Sequence, residues 1–153
     1  MQKKINIQNK KARFEYEILD KYIAGIQLTG TEIKSIRQSK ARITESFCEF
    51  NERGELFIVN MYIQEYMFGH HFNHNPKSER RLLLNKRELR SLKKDVEAKG
   101  NTIVPLKLFI NDRGFAKLEI ALAKGKQTHD KRNVIKDRDS KRNLDRIKKS
   151  FNA

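Results

Sequence analysis

The chain has 153 residues, 37% hydrophobic and 35% charged, with 34 Lys and Arg against 19 Asp and Glu, a net charge of +15 and a pI near 10.0. That length fits one domain with a real core, and that charge points to an anionic partner, nucleic acid before membrane surface. No apolar run approaches the ~20 residues that span a bilayer, Met1 to Lys11 lacks the apolar block of a signal peptide, and the single Cys48 can close no internal disulfide, so a soluble cytoplasmic protein is expected.

Residues 1–12 are polar and lysine-rich and are expected to form a flexible basic N-terminal arm. Two strands follow at 14–19 and 22–28, rich in aromatic and β-branched residues. Thr29-Gly30-Thr31-Glu32 has the S/T-x-x-E spacing of a capping box, and Ile33 and Ile36 give the helix after it one apolar stripe, ending near Ser39. Segments 44–50 and 55–60 read as a hairpin around Glu52-Arg53-Gly54, with a further strand at 61–68 and a loop at 69–78 containing Asn75-Pro76. A second helix has Asn85 as N-cap, Glu88 three residues on, and Leu89, Leu92 and Val96 on one face. Gly100 stands where a left-handed stop is expected. Leu106, Leu108 and Ile110, then Leu118, Ile120 and Leu122, alternate with other residues about Asn111-Asp112-Arg113-Gly114, the pattern of a hairpin with one buried face. Pro105 lacks a ladder donor and belongs at a strand start or edge.

About six short strands with two short helices between them favour a small closed antiparallel β-barrel, because closure protects strand edges. The fold expected is therefore mainly β, an OB-fold-like barrel with two or three short helices, its body spanning 13–123.

Residues 124–153 form a basic C-terminal tail. It holds eleven Lys and Arg against four Asp, a surplus of seven that is nearly half the charge of the whole chain. So few apolar residues cannot offset the entropy of ordering, which predicts a tail disordered when free. Phosphates would neutralise it, and released counterions would drive binding. Asp137 with Lys141 and Asp145 with Lys149 are i,i+4 pairs worth about 0.2–0.5 kcal/mol each, too little to nucleate a helix in water. A helix that forms only on RNA is the reading preferred over one lying on its own domain. His129 could stack on a base while Lys131 and Arg132 meet phosphates.

Other motifs carry less. His70, His71 and His74 make H-H-x-x-H without the H-E-x-x-H pattern or a nearby cysteine, so a structural or RNA-contacting loop is favoured over a zinc site. Cys48, between Phe47 and Phe50, reads as a small core residue. No Walker loop or G-x-S-x-G is present, and a non-enzymatic protein without metal or cofactor is expected. Lys34 and Arg37 share one helix face, either solvated or phosphate-binding.

Several blocks together carry a resemblance. Asn9-Lys10-Lys11-Ala12-Arg13, Ala24-Gly25-Ile26, Gly30-Thr31-Glu32-Ile33-Lys34-Ser35-Ile36-Arg37, Leu82-Leu83-Leu84-Asn85-Lys86-Arg87-Glu88-Leu89, and Lys124-Gly125-Lys126 with His129-Asp130-Lys131-Arg132 resemble the bacterial SsrA-binding protein (small protein B) family, in order over residues 7–151. The resemblance implies an OB-fold barrel that binds the tRNA-like domain of transfer-messenger RNA (tmRNA), as a monomer in a 1:1 complex, for trans-translation on stalled ribosomes. It implies RNA-binding roles for Asn9, Leu83, Lys124 and Gly125, with the neighbouring cations Lys10, Lys11, Arg13 and Lys126; charge and position add Lys34 and Arg37. It places His129, Asp130, Lys131 and Arg132 at the small-subunit decoding centre and Ile147 on a helix in the empty mRNA channel. The chain departs from the family pattern at Ile23, where an acidic residue is common, and at Gln38-Ser39, where Ala-Gly is usual. The alternatives are a general RNA-binding OB-fold translation factor and an RNA-processing hydrolase built on the histidine cluster.

Overall fold

The structure, a computed structural model, describes residues 5–69 and 73–125. Its strands are β1 (Asn6–Gln8), β2 (Tyr16–Ile26), β3 (Ala41–Arg42), β4 (Phe47–Phe50), β5 (Leu56–Val59), β6 (Tyr62–Ile63), β7 (Arg80–Leu83), β8 (Asn101–Ile110) and β9 (Ala116–Gly125). Its helices are α1 (Lys10–Glu15), α2 (Gly30–Arg37) and α3 (Lys86–Val96). All pairings are antiparallel. The sheet order β8-β4-β5-β7-β2-β9 closes on itself because β9 also pairs with β8, so the expected barrel forms. β1 adds to the free edge of β8, and β3 pairs with β6 in a small separate sheet. Among the described residues no helix is long and apolar enough to cross a membrane.

Both hairpin turns use one device. Asn51 Oδ1 accepts the N–H groups of Arg53 and Glu55, and Asn111 Oδ1 accepts those of Arg113 and Phe115, at 2.9–3.1 Å. Each turn then needs a left-handed residue, supplied by Gly54 (φ 80°) and Gly114 (φ 88°). The sequence N-x-x-G thus sets both tight reversals.

Two β-bulges decide which face each side chain takes. β8 shifts register between Pro105 and Lys107, and β2 between Ile18 and Asp20. Leu106 is consequently not on the core face with Leu108, as simple alternation predicts. It joins Val104, Ala121, Ala123 and Ala12 in a second cluster outside the barrel, under α1. The cause is Pro105, which sits inside β8 at the bulge, not at a strand start, because a residue without N–H is tolerated there. Small alanines let α1 lie close on the sheet, while Ile103, Leu108, Leu118, Ile120 and Leu122 fill the interior.

Other expectations need correction. The N-terminal arm is built into the fold from Ile5 onward, since β1 pairs with β8, Gln8 opposite Lys107, and α1 covers the second cluster. The strands expected at 14–19 and 22–28 are one bulged strand, β2, with Phe14 in α1. Of 61–68 only Tyr62–Ile63 is strand. β3 and β7 were not foreseen. β9 runs two residues past Ala123, and expectations for residues 126–153 lie outside the described residues.

α2 and α3 both carry the full capping box, Thr29 with Glu32 and Asn85 with Glu88. Gly100 is left-handed (φ 85°) but lies three residues past the α3 C-cap Glu97, in the turn that enters β8. α2 ends in a Schellman motif. Lys40 N–H donates to Ser35 O and Ser39 N–H to Ile36 O, with Ser39 at φ 59°. Serine therefore occupies the position that glycine fills without strain. Ser39→Gly should raise stability by about 0.5–1 kcal/mol, read as a higher urea midpoint at unchanged slope.

Among the described residues one charged pair is buried. Arg80 and Glu32 are 3% and 4% exposed, with Arg80 Nε 2.5 Å from Glu32 Oε2. Arg80 also donates to the carbonyls of Met61 (2.6 Å), Asn75 (3.2 Å) and Pro76 (3.1 Å), and Glu32 Oε1 accepts Thr29 N–H at 2.9 Å. Both ions are satisfied, as burial demands. Arg80→Met strands a buried carboxylate and should cost about 3–5 kcal/mol, whereas adding Glu32→Gln should restore much of it in the same denaturation measurement.

Candidate nucleic-acid interface

The outer face of the barrel beside α1 gathers most of the described candidates. In β7 the burial pattern places Arg80 and Leu82 inward, so Leu83 points out, 49% exposed. Opposite it on β2 is Gly25, which also pairs with Lys117 of β9. A Cβ on Gly25 would have Leu83 Cβ at 3.4 Å and Lys117 Nζ at 3.7 Å. The missing side chain lets an apolar group and an ammonium meet over one backbone position. Ile23, two residues along β2, shares this face and is equally exposed. Arg13 reaches across from α1 to Glu119, 3.5 Å away.

At the far end of the face Tyr16 pairs with Gly125 and Glu17 with Lys124, so Lys124 and Gly125, both exposed, leave the barrel beside the last turn of α1. Lys10, Lys11 and Arg13 are exposed on that helix. Lys11 meets Glu45 at 3.3 Å, but surface pairs of this kind hold their ions weakly and leave them open to phosphate. The arrangement supplies scattered cations around a small apolar patch, suited to sugar-phosphate surface and shape and not to base edges.

Asn9 belongs to the frame. It is buried, its Oδ1 caps α1 by accepting Ala12 N–H (3.1 Å), and its Nδ2 donates to the carbonyls of Pro105 (2.9 Å) and Ile43 (3.4 Å). It thus bonds the strand at its bulge while starting the cationic helix. Lys34 and Arg37 stand apart on α2, exposed, Lys34 Nζ lying 5.5 Å from the Tyr66 ring centre. His74 is buried, its ring between Thr31 Oγ1 and Ile63 O, each 2.9 Å away; the carbonyl must accept from Nε2–H, which leaves Nδ1 to accept from the hydroxyl. His70, His71, Lys126, His129, Asp130, Lys131, Arg132 and Ile147 lie outside the described residues. Cys48 is buried, and burial pushes its thiol up, away from the reactive thiolate. Lys117 was missed in the sequence, since only the pairing across Gly25 brings it to Leu83.

The family model described as "SmpB protein" matches residues 6–150. The chain belongs to the SmpB family. Among its relatives, a protein of Flavobacterium psychrophilum called SsrA-binding protein is 67% identical over 151 residues, covering 99% of this chain and 100% of that one. SsrA-binding proteins of Cytophaga hutchinsonii and Allorhizobium ampelinum are 56% and 50% identical over 146 and 147 residues, 95% and 96% of this chain and 95% and 92% of theirs. A solved SmpB-family chain, described as "tmRNA-SmpB: a journey to the center of the bacterial ribosome", superposes with a TM-score of 0.68 at 49% identity, over 81% of this chain and 86% of that one.

Within this SmpB-family barrel, Asn9→Ala removes a helix cap and the side-chain donor to the buried Pro105 carbonyl, whereas Ile43 O keeps the Ser46 N–H and hydroxyl. It should cost about 1–3 kcal/mol in thermal or urea unfolding, and the loosened α1 should weaken RNA binding beyond the fall in folded fraction.

Proposed function

We infer that this chain binds the tRNA-like domain of tmRNA and carries it to ribosomes stalled without a stop codon. The observation behind this reading is family membership across nearly the whole chain, joined to a cation-rich outer face continuous with the origin of a basic tail. The barrel acts without chemistry of its own. Lys10, Lys11, Arg13, Lys117 and Lys124 neutralise phosphates, and the Leu83 patch packs against the sugar surface of the shallow groove. Counterion release makes the affinity fall steeply as salt rises. Asn9 acts through α1, as a positioning residue.

The tail adds the sensing step. Lys126 continues the tmRNA contact of Lys124; His129, Asp130, Lys131 and Arg132 engage the decoding centre, and the segment containing Ile147 winds into a helix in an mRNA channel left empty. An occupied channel offers no place for that helix. Binding without folding then gains little, because the ordering entropy is not offset, so vacancy itself is what the tail reads.

Removing residues 133–153 should leave tmRNA affinity within about twofold while abolishing tagging of stalled chains in a reconstituted translation system. Full tagging by the shortened protein would defeat this division of labour. Competition with bulk tRNA should displace little tmRNA, unlike the behaviour of a general RNA-binding OB domain.

A further inference from the structure

An acid stands among the cations of the outer face, and its carboxylate is poorly supplied with donors. Glu119 of β9 lies directly opposite Lys107 of β8 on one side and Ile23 of β2 on the other. Strand alternation puts these side chains on the outer face, with Lys117 two residues along β9, while Leu108, Leu118 and Ile120 are buried inward. Both lysines are turned to other partners. Lys107 Nζ lies 5.0 Å from the centre of the Phe109 ring, and Lys117 Nζ lies 3.7 Å from where a Gly25 Cβ would stand.

Among the described residues, the ion pair that remains to Glu119 is the one with Arg13, Nη2 to Oε1 at 3.5 Å. That is long beside the roughly 2.7–2.9 Å of a good charge-assisted hydrogen bond. A carboxylate offers about four acceptor positions, and this one fills a single position at long range. Its side chain is nevertheless only 17% exposed, so water reaches it poorly. An acceptor that is sheltered and under-supplied costs free energy until a donor arrives.

A bound RNA brings that donor. Its phosphates are acceptors and are repelled by the acid, whereas each ribose 2′-hydroxyl can donate and is displayed in the shallow groove. Along a strand of RNA one ribose lies between successive phosphates. Glu119 is set between cations in the same manner, with Lys107 about 4.8 Å away on the next strand and Lys117 about 7 Å along its own. Ile23, 49% exposed on the remaining side, gives the carbon edge of a sugar an apolar neighbour. We propose that Glu119 accepts the hydrogen of a ribose 2′-hydroxyl whose flanking phosphates are held by Lys107 and Lys117. This contact, which rests on the tmRNA reading above, tells RNA from any other polyanion, a distinction that cations alone cannot make. The guanine amino group is the other donor of that groove, and the experiment separates the two.

The test uses the full chain and tmRNA carrying single 2′-deoxy substitutions across its tRNA-like domain. Glu119→Met should keep the wild-type melting temperature and lower tmRNA affinity about tenfold, the loss of one hydrogen bond to a charged acceptor. At one nucleotide the deoxy sugar should cost the wild type about tenfold and Glu119→Met less than about twofold. Inosine in place of guanosine, which removes the amino group, should cost both proteins alike at every position. Because Arg13 leans on the same carboxylate, the Glu119→Met loss should persist in an Arg13→Ala background. A loss that vanishes there would make Glu119 a mere support for Arg13 and overturn the proposal. So would undiminished tmRNA affinity in Glu119→Met, deoxy sugars that weaken both proteins equally at every position, or an inosine penalty confined to the wild type. Wild-type protein that prefers tmRNA no more than bulk tRNA would sink the tmRNA reading itself, and this contact with it.

Discussion

The buried ion pair of Glu32 and Arg80 organises more of this protein than any other contact. Arg80 is the first residue of β7 and Glu32 the third of α2, and the guanidinium also collects carbonyls from Met61, Asn75 and Pro76. Helix, strand and loop are thereby fixed to one side chain. Because strand side chains alternate, an inward Arg80 forces Leu82 inward and Arg81 and Leu83 outward. A slip of one residue would bury Leu83 and expose the arginine, at the full cost of an unpaired buried carboxylate. The apolar point on the outer face is therefore set by a charge on the inner one.

The bulges supply the second constraint. A regular β8 would send Leu106 into the barrel beside Leu108 and leave α1 no sheet surface to cover. With Leu106 displaced, the barrel has an interior and, on one side, a thin external core of alanines. α1 can then bring Lys10, Lys11 and Arg13 alongside the exit of β9. Local irregularity, caused by a proline, is what places the cations next to the tail.

Much of this was legible in the residues, and what was not has physical reasons. Capping boxes and N-x-x-G turns are local and unambiguous, so both main helices and both hairpins could be read directly. β7 was invisible because its pattern is inverted, with a charge inside and a leucine outside, and hydrophobic periodicity assumes the reverse. The N-terminal arm looked disordered because its order comes from pairing with Lys107–Phe109, about a hundred residues away. For the site, Leu83 and the Lys124-Gly125 step came from the family resemblance, not from periodicity. Lys117 could not be found without the register across Gly25, and the buried position of Asn9 as the cap of α1 is equally a matter of tertiary structure. The left-handed Ser39 shows the opposite case, where a departure from the usual residue was visible but its geometric accommodation was not.

The closure of the barrel by β9 also has a consequence for biosynthesis. β2 must wait for its long partner, since Tyr16 meets Gly125 and Gly25 meets Lys117. During translation the early strand therefore emerges with one hydrogen-bonding edge vacant until β9, about a hundred residues later, has been made. Pairings so distant along the chain form slowly, and an unsealed edge is prone to join a neighbouring nascent chain. Closure of the barrel is thus a late, nearly single event, gated by β9.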